Sequence, residues 1–398
     1  MTTTNLTADL TISTCDTTEM VLPSKFATRL LAWFEQSGRH DLPWQFHHQD
    51  HADIYAVWLS EVMLQQTQVA TVMGYFERFL AKFPTVQDLA VASWDDVATL
   101  WAGLGYYARA RNLHAGAVQV ADFIDKTGHF PQTVDEWQAI KGVGRSTAGA
   151  IVAMGVRDFG VICDGNVKRV LTRHRAIDGD ITKSATDKAL WQLATALTPK
   201  MDSGKYAQAM MDLGATICTR TKPKCDICPV AIDCQARLMG KQATYPVKKK
   251  SAPKPHRHSL AVALMYQDDT LWLQRHNDGG IWDGLWCLPM MTLASDADGL
   301  LSQDMLNQLM DNATEMSSLA EQVLFDALGT LPHPPVEHHI KHTLTHFHWH
   351  IYLVTLKVDE RLYQLLNHSL QSVHADFVWA DGENLAKPVA MDKLLKKA

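Results

Sequence analysis

The stretch from Ile140 to Leu171, IKGVGRSTAGAIVAMGVRDFGVICDGNVKRVL, decides the fold of the first half of this chain. Gly142 and Gly144 flank one apolar residue at the point where one helical pattern ends and the next begins, which predicts a tight hairpin between two helices. The exposed amides at the start of the second helix suit a phosphate group. A simple turn between helices explains the same two glycines without any ligand.

The residues around this hairpin are also predicted to be helical. Apolar residues recur at helical spacing from Pro23 to about Arg237, for example over residues 53–79. We therefore expect a helical domain over residues 23–240, preceded by a disordered tail at residues 1–22.

The composition of the sequence changes after residue 240. Residues 241–257 are rich in lysine and proline and predict a basic linker, on which a protein partner of unknown identity could dock. Apolar runs at 259–266, 270–275 and 346–356 predict strands of a sheet. The sequence thus predicts a second domain of the α/β class over residues 258–398.

Length and composition limit the classes of protein to consider. A chain of 398 residues exceeds one ordinary core, and 46% hydrophobic with 20% charged residues is typical of a globular protein. No apolar run reaches the roughly 18 residues of a membrane helix, and the Thr-rich N-terminus lacks the features of a secretory signal. We expect a cytoplasmic protein, nucleoid-associated in a bacterium, that is monomeric and does not bind membranes.

The charge of the chain is unevenly distributed. The net charge is −6, yet residues 219–258 carry ten basic and two acidic side chains, whereas the rest carries 27 basic and 41 acidic ones. This segregation is consistent with one cationic face that follows phosphates, although a solvated linker gives the same pattern.

Four of the seven cysteines lie close together, at Cys218, Cys225, Cys228 and Cys234. Four thiolates on one short loop can enclose a cubane cluster or a zinc ion, and disulfides are not expected in a cytoplasmic chain. Because only one CxxC is present, the spacing favours a [4Fe–4S] cluster over zinc.

Two carboxylates lie in contrasting sequence settings. Glu61 is in the middle of the apolar helical segment WLSEVML, where desolvation is expected to raise its pKa. Asp164 is predicted to cap the next helix beside Lys168 and to stay ionised. Glycosidic cleavage through an oxocarbenium-like state requires one protonated and one ionised carboxyl group. A surface glutamate and an ordinary helix cap would carry no such chemistry.

The hairpin, the following aspartate and the cysteine loop occur in the order seen in the helix-hairpin-helix DNA glycosylases. From about residue 23 onwards the chain resembles the adenine DNA glycosylase family. The similarity is carried by LPWQ (42–45), WLSEVMLQQTQV (58–69), GLGYYARARNL (103–113), GVGRSTAGAI (142–151), DGNVKRVL (164–171), QAMMDLGATICTRTKPKC (208–225) and HTLTHFH (342–348).

The resemblance implies a reaction, a cofactor and a DNA substrate. The chain would hydrolyse the N-glycosidic bond of adenine mispaired with 8-oxoguanine or guanine in duplex DNA, leaving an abasic site. Glu61 would protonate adenine at N7 and later help water attack, and Asp164 would stabilise the cation at C1′, through its charge or a transient covalent bond. The four cysteines would hold a [4Fe–4S] cluster.

The resemblance also implies residues that bind DNA. These residues add to the DNA-binding roles that the hairpin and the basic loop already suggest. The flipped-out adenine would contact Trp44, Gln45, Leu64 and Asp212. The duplex would contact the wedge residues Gln66 and Tyr106, the hairpin residues Gly142, Gly144 and Ser146, the neighbours Asn166 and Lys168 of the aspartate, and the loop residues Arg220, Lys222 and Lys224.

The C-terminal part resembles a Nudix domain, with GLWCLP at residues 284–289. The segment after Gly284 lacks the glutamates that would hold Mg²⁺, so the resemblance implies recognition of 8-oxoguanine rather than pyrophosphate hydrolysis. Thr345 and His346 would contact the lesion, within Leu344-Thr345-His346, where relatives commonly have Phe-Ser-His.

Three other functions would each require residues that differ from those of this chain. An endonuclease III-like enzyme with β-lyase activity would have a Schiff-base lysine where this chain has Ser146, and it would lack the second domain. A non-catalytic lesion binder would lack Glu61 or Asp164. A nucleotide pyrophosphohydrolase would need the missing metal-binding glutamates. The sequence therefore favours a monofunctional glycosylase.

Overall fold

The computed structural model describes residues 23–45, 53–248, 252–276, 280–295, 297, 299–311, 318–328 and 335–395. The predicted tail at 1–22 lies outside these residues. The contacts divide the chain into two compact units, Met1–Glu61 with Phe130–Lys249 and Val62–His129 with Lys250–Ala398. The predicted domain boundaries near residues 240 and 258 remain predictions.

The first unit is helical. Its helices are α1 (Pro23–Ser37), most of α2 (Ile54–Leu64), α7 (Val134–Gln138), α8 (Arg145–Ile151), α9 (Gly165–Arg175), α10 (Ser184–Leu197), α11 (Ser203–Asp212) and α12 (Gln235–Leu238). They surround a core that includes Phe26, Leu171 and Leu213, all fully buried. Helix α2 is apolar around its whole circumference, which is the pattern of a buried helix. Glu61 therefore lies on a helix that has little contact with water.

Two glycines allow α8 to touch the segment that leads to Asp164. A Cβ on Gly149 would lie 2.0 Å from the Val161 carbonyl oxygen, and a Cβ on Gly160 would lie 2.1 Å from the Gly149 carbonyl oxygen. Backbone therefore packs directly on backbone here, and any larger residue would push the segment before Asp164 away from the hairpin.

The second unit combines helices with a sheet. Its helical part comprises α3 (Val69–Lys82), α4 (Val86–Ala90), α5 (Trp94–Trp101) and α6 (Ala108–Thr127). The C-terminal part comprises β1 (His256–Tyr266), β2 (Asp269–Gln274), β3 (Trp286–Cys287), β4 (Met290–Leu293), α13 (Gln303–Asp311), α14 (Leu319–Leu328), β5 (His338–Thr343), β6 (His348–Lys357), α15 (Glu360–Ser372), β7 (Phe377–Ala380) and α16 (Val389–Leu395).

The described strands form one mixed sheet in the order β3-β2-β1-β6-β5, with β4 paired to β1 and β7 paired to β2. The central pair, β1 and β6, is parallel, with Leu260 opposite Tyr352, and the other pairs are antiparallel. Helices α14 and α15 pack on the core that these strands build around Leu264 and Val354. The predicted α/β class of the C-terminal part is confirmed.

Hydrogen bonds join the helices of the second unit to its C-terminal part. The Trp94 indole donates to the Gly284 carbonyl at 2.8 Å, and the Tyr107 hydroxyl donates to the Lys387 carbonyl at 3.0 Å. Arg111 forms an ion pair with Asp283 at 3.1 Å. None of the helices in the described part of the chain is long and apolar enough to cross a bilayer.

Candidate active site

Glu61 lies on α2 within the first unit and is partly accessible to solvent. Desolvation by the surrounding protein, together with the negative charge of Asp164, raises its pKa to about 8. The predicted direction of the pKa shift is confirmed. At neutral pH this carboxyl group therefore keeps its proton, as a general acid must.

Asp164 is the N-cap of α9, and its side chain accepts a hydrogen bond of 2.9 Å from the Val167 amide. The Ser146 hydroxyl accepts a hydrogen bond of 3.0 Å from the Cys163 amide, so α8 holds the residue that precedes this aspartate. The predicted cap is confirmed.

Lys168 lies one helical turn after the cap Asp164, and its amide donates to the Asp164 carbonyl at 2.9 Å. Its ammonium group forms an ion pair with Asp187 on α10. This ion pair joins two helices, so the local sequence around Asp164 does not reveal it.

The hairpin between α7 and α8 has its predicted form. Gly142 has a φ of +79°, which favours glycine, and Gly144 is the N-cap of α8. Both glycines are exposed, and a Cβ on Gly144 would meet nothing within 4 Å. The Val143 amide is used within the turn, where it donates to the Ile140 carbonyl at 3.1 Å. The exposed backbone at Gly142 and Gly144 is the part of the turn that is open to a ligand.

Three of the four predicted adenine-pocket residues lie in the first unit. Trp44 and Gln45 line an open cavity together with Val57 and Gln208. The Gln45 amide group is engaged locally, since its nitrogen donates to the Arg39 carbonyl at 3.0 Å. Leu64, the fourth residue, ends α2 in the second unit.

Asp212 is 1% exposed and is bound by a cation that sequence reasoning missed. The Arg39 guanidinium donates to Asp212 Oδ1 at 2.6 and 3.0 Å, and the Arg39 amide donates to Oδ2 at 2.7 Å. Gln208 adds a bond of 2.9 Å to Oδ1. A buried carboxylate requires such a partner, but 173 residues separate the pair in the chain.

Gln66 and Tyr106 lie in the second unit, on left-handed backbone. Their φ angles are +59° and +52°, and both side chains are exposed. The helical pattern predicted over residues 53–79 is consequently interrupted, because α2 ends at Leu64 and α3 begins at Val69. Apolar spacing does not reveal such a break.

The four cysteines line one cavity in the first unit. Among the described residues, no three His, Cys, Asp or Glu side chains close around a single metal ion. A single zinc ion needs all its sulfur ligands at about 2.3 Å, whereas in a cubane cluster each thiolate binds a different iron, which requires a wider ring of thiolates. A cavity lined by four thiols therefore offers the donor set of either kind of centre.

A buried guanidinium adjoins this cavity. Arg173 is 2% exposed and donates to the Cys218 sulfur at 3.4 Å. Its other hydrogen bonds go to the carbonyl oxygens of Cys218, Thr219, Arg220, Gln242 and Tyr245. None of these acceptors carries a full negative charge, so an anionic group in the cavity would balance the buried cation.

Arg169 connects the cysteine loop to the start of α9. Its guanidinium donates to the Cys218 carbonyl at 2.8 Å, to the Gly214 carbonyl at 2.7 Å and to Asn166 Oδ1 at 2.9 Å. Asn166, predicted to contact DNA, is therefore held two residues after Asp164. The basic loop residues Arg220, Lys222 and Lys224 are exposed, as phosphate contacts would require.

Thr345 and His346 lie in the loop between β5 and β6, and both are exposed. The strand predicted from residue 346 begins at His348, which leaves His346 in the turn. Lys254 donates to the Leu344 carbonyl at 2.7 Å, and a bond of 3.0 Å between Thr343 and His348 closes the base of the loop. The loop is thus fixed at its base and free to present its two polar side chains.

Two family models match this chain on either side of residue 240. Residues 59–196 match the model of the HhH-GPD superfamily base excision DNA repair proteins, and residues 260–397 match the NUDIX domain model. These matches confirm the predicted fold class, a helical glycosylase part followed by a Nudix-like part. The fold and the site thus define a DNA glycosylase of base excision repair.

This chain is similar to two adenine DNA glycosylases and to one solved DNA glycosylase structure. The adenine DNA glycosylase of Buchnera aphidicola (subsp. Acyrthosiphon pisum) is 38% identical over 284 residues, which cover 71% of this chain and 79% of the relative. The human adenine DNA glycosylase is 48% identical over 217 residues, covering 53% of this chain and 39% of the human protein. The solved structure of a thermostable thymine-DNA glycosylase is 25% identical with a TM-score of 0.48, covering 55% of this chain and 98% of that chain.

This chain belongs to the adenine DNA glycosylase family. It is a hydrolase that removes adenine from DNA in base excision repair, as the sequence predicted.

Proposed function

We propose that the chain removes adenine mispaired with 8-oxoguanine or guanine in duplex DNA, using Glu61 as general acid and Asp164 as an ionised counter-charge. The observation that carries this proposal is the contrast between two carboxyl groups: Glu61 lies on the apolar helix α2, whereas Asp164 caps α9 and accepts a hydrogen bond from the Val167 amide. Desolvation and the charge of Asp164 raise the pKa of Glu61 to about 8. Two carboxyl groups held in different protonation states are the arrangement that glycosidic cleavage uses.

The reaction proceeds by proton transfer and hydrolysis. Glu61 donates its proton to N7 of adenine, the C1′–N9 bond breaks, and the bonding electron pair leaves with the base. The negative charge of Asp164 stabilises the oxocarbenium ion at C1′. The Glu61 carboxylate then takes a proton from the water that attacks C1′, leaving an abasic site.

The enzyme is monofunctional in this proposal. Strand cleavage by a β-lyase requires an amine that forms a Schiff base with C1′, and this chain has Ser146 at the corresponding position. The Ser146 hydroxyl instead holds the Cys163 amide, next to Asp164. The product is therefore an intact strand.

Recognition of the DNA combines phosphate contacts with contacts to the bases. The open turn at Gly142 and Gly144, together with the exposed loop cations, suits the phosphate backbone. Gln66 and Tyr106 act as wedges in the duplex, while Trp44, Gln45, Leu64 and Asp212 are the residues proposed to contact the expelled adenine. Asn166 and Lys168 flank the catalytic aspartate, and Thr345 and His346 read the 8-oxoguanine.

The proposed cofactor is a [4Fe–4S] cluster held by Cys218, Cys225, Cys228 and Cys234. This assignment is supported by the shared cavity of the four thiols and by Arg173, whose buried charge contacts carbonyl oxygens and one thiol in the part of the chain that the structure describes. When bound, such a cluster cross-links the loop and supplies negative charge beside Arg173. The loop can then present Arg220, Lys222 and Lys224 in a fixed arrangement.

We propose that the enzyme acts as a monomer in the cytoplasm. One chain carries both carboxylates, the hairpin, the cysteine loop and the lesion-reading residues, so no second copy is required.

The proposed function is tested by single-turnover excision from duplexes with adenine opposite 8-oxoguanine, guanine or cytosine. We expect excision opposite 8-oxoguanine and guanine, and strand breaks only after alkali treatment. Glu61→Gln should abolish excision while retaining binding, since glutamine keeps the shape but cannot donate the proton. Excision by this variant at the wild-type rate, or strand cleavage that keeps pace with base release, would overturn the proposal.

A further inference from the structure

Gln66 and Tyr106 share an unusual backbone conformation. Both non-glycine residues have positive φ angles, and Tyr106 follows Gly105, whose φ is +73°. Such conformations cost free energy and persist only where the surrounding structure fixes them. We call Gln66 and Tyr106 the wedge pair. Contacts from the surrounding protein must therefore hold the backbone of both residues in this conformation.

One side chain contacts both segments. Arg109, in the first turn of α6, is 8% exposed. Its Nη1 donates to the carbonyls of Val62, Met63 and Gln65, and its Nη2 donates to those of Leu104 and Gly105. The first group of carbonyls leads directly to Gln66, and the second group directly precedes Tyr106.

The first group of carbonyls has few local donors: the Gln65 carbonyl accepts a long bond of 3.4 Å from the Thr67 hydroxyl. They belong to the last turn of α2 and the residue after it, where the helix ends and supplies no further amides. A planar guanidinium offers donors in two directions and can satisfy two segments at once, which the single ammonium group of lysine cannot do.

Arg109 also contacts the wedge residue itself. The guanidinium carbon lies 5.4 Å from the centre of the Tyr106 ring and 5.4 Å from that of Trp101. Burial lowers the pKa of Arg109 to about 10, so the group remains charged at neutral pH. The cation–π contact therefore positions the Tyr106 ring as well as its backbone.

We propose that Arg109 is a positioning residue that sets the conformation and spacing of the wedge pair before DNA binds. This inference rests on the proposed role of Gln66 and Tyr106 as duplex wedges. It predicts that Arg109 affects the step that separates adenine from its partner more than the cleavage of the glycosidic bond.

The test uses the full-length, iron-loaded protein with Arg109→Lys, and Arg78→Lys as the control because Arg78 is an exposed arginine on α3. Single-turnover excision is compared for adenine opposite 8-oxoguanine and for adenine opposite an abasic-site analogue, where the base has no pairing partner. Arg109→Lys should slow the first reaction by about tenfold or more and the second by no more than about threefold. An equal loss on both substrates, or no loss, would show that Arg109 only stabilises the fold or is dispensable.

A second readout follows wedge insertion directly. In a Glu61→Gln background, which prevents excision, 2-aminopurine placed next to the mispair should brighten on binding, because insertion of the wedge pair unstacks it. Adding Arg109→Lys should reduce this increase, whereas adding Arg78→Lys should not. An unchanged increase would contradict the proposal.

A glycine variant tests the backbone without removing the guanidinium. Gly105→Ala has room for its Cβ, since nothing lies within 4 Å, but alanine rarely adopts the required φ. It should show the same selective loss on paired adenine, and an equal loss on both substrates would count against the proposal.

Tyr106→Ala and Gln66→Ala separate the two hypotheses. If these variants show no selective loss on paired adenine, the wedge assignment fails and the inference fails with it. If they show the selective loss but Arg109→Lys does not, only the inference about Arg109 is wrong.

Discussion

The pKa of Glu61 makes the pH dependence of excision a sharp test of the chemistry. A pKa raised from the ordinary value of 4.5 to about 8 keeps most of this carboxyl group protonated at neutral pH. The protonated fraction is about 90% at pH 7 and about 10% at pH 9, whereas an ordinary glutamate would be protonated to only about 0.3% at pH 7. The single-turnover rate should therefore be nearly constant below pH 7 and fall about tenfold per pH unit above pH 8.

The sign of this effect follows from the role of the proton. Because the acid form is active, raising the pH through the pKa removes activity, and lowering the pH restores it. Desolvation is the larger cause of the shift and the charge of Asp164 the smaller one. Asp164→Asn should therefore move the alkaline limb of its residual activity to lower pH, in addition to reducing the rate.

The assay measures excision on adenine opposite 8-oxoguanine from about pH 6 to about pH 10. Enzyme is in excess over DNA but below the dissociation constant, so that the alkaline limb reports the pKa of the free enzyme. Glu77→Gln is the control, since Glu77 is an exposed glutamate on α3, and its profile should match the wild type. A wild-type rate that stays flat through pH 9, or rises with pH, would refute the assignment of Glu61 as the proton donor.

Two further predictions concern the cofactor and the lesion. The purified protein should contain about four irons and four sulfides per chain, as four cysteine ligands imply. Cys225→Ser should lose iron and bind DNA more weakly, while Asp226→Asn, a change at the next and exposed position, should retain both properties. Stoichiometric zinc without iron in anaerobically prepared protein would contradict the cluster. His346→Ala should lower the preference for adenine opposite 8-oxoguanine over guanine by about tenfold, because one or two hydrogen bonds to a base edge are worth about 1–3 kcal/mol. His368→Ala, at an exposed position on α15, should keep that preference, and a His346→Ala enzyme with wild-type discrimination would assign lesion reading to other residues.

Features that depend on neighbouring residues were predictable from the sequence. Asp164 could be recognised as a helix cap because the bond it accepts comes from Val167, three residues later. The hairpin followed from Gly142 and Gly144, whose turn needs a positive φ and open space. That the four cysteines lie close together followed from their spacing within 17 residues, and in the structure they line one cavity. The direction of the Glu61 pKa shift followed from the apolar residues of its own helix.

Other features depend on partners that are distant along the chain. Asp212 is neutralised by Arg39, 173 residues away, and the guanidinium of Arg109 reaches carbonyls up to 47 residues away. The ammonium group of Lys168 pairs with Asp187, which α10 brings to α9. No local pattern specifies which of several carboxylates or carbonyls a long basic side chain will reach.

The sequence pattern also did not predict the local backbone conformation. The apolar spacing over residues 53–79 continues across a break, although Gln66 has a φ that no helix contains. His346 follows the alternation of a strand but lies in the turn before β6. Periodicity reports which side chains face the core, whereas φ and the ends of elements depend on tertiary contacts such as those of Arg109. The sequence by itself therefore determined the class of chemistry, and it indicated the residues that we propose to carry it. Only the tertiary structure decided that Arg39 binds Asp212 and that Arg109 binds the carbonyls before Gln66. The physical reason is that desolvated charges are stabilised by whichever partners the packing brings within hydrogen-bonding distance.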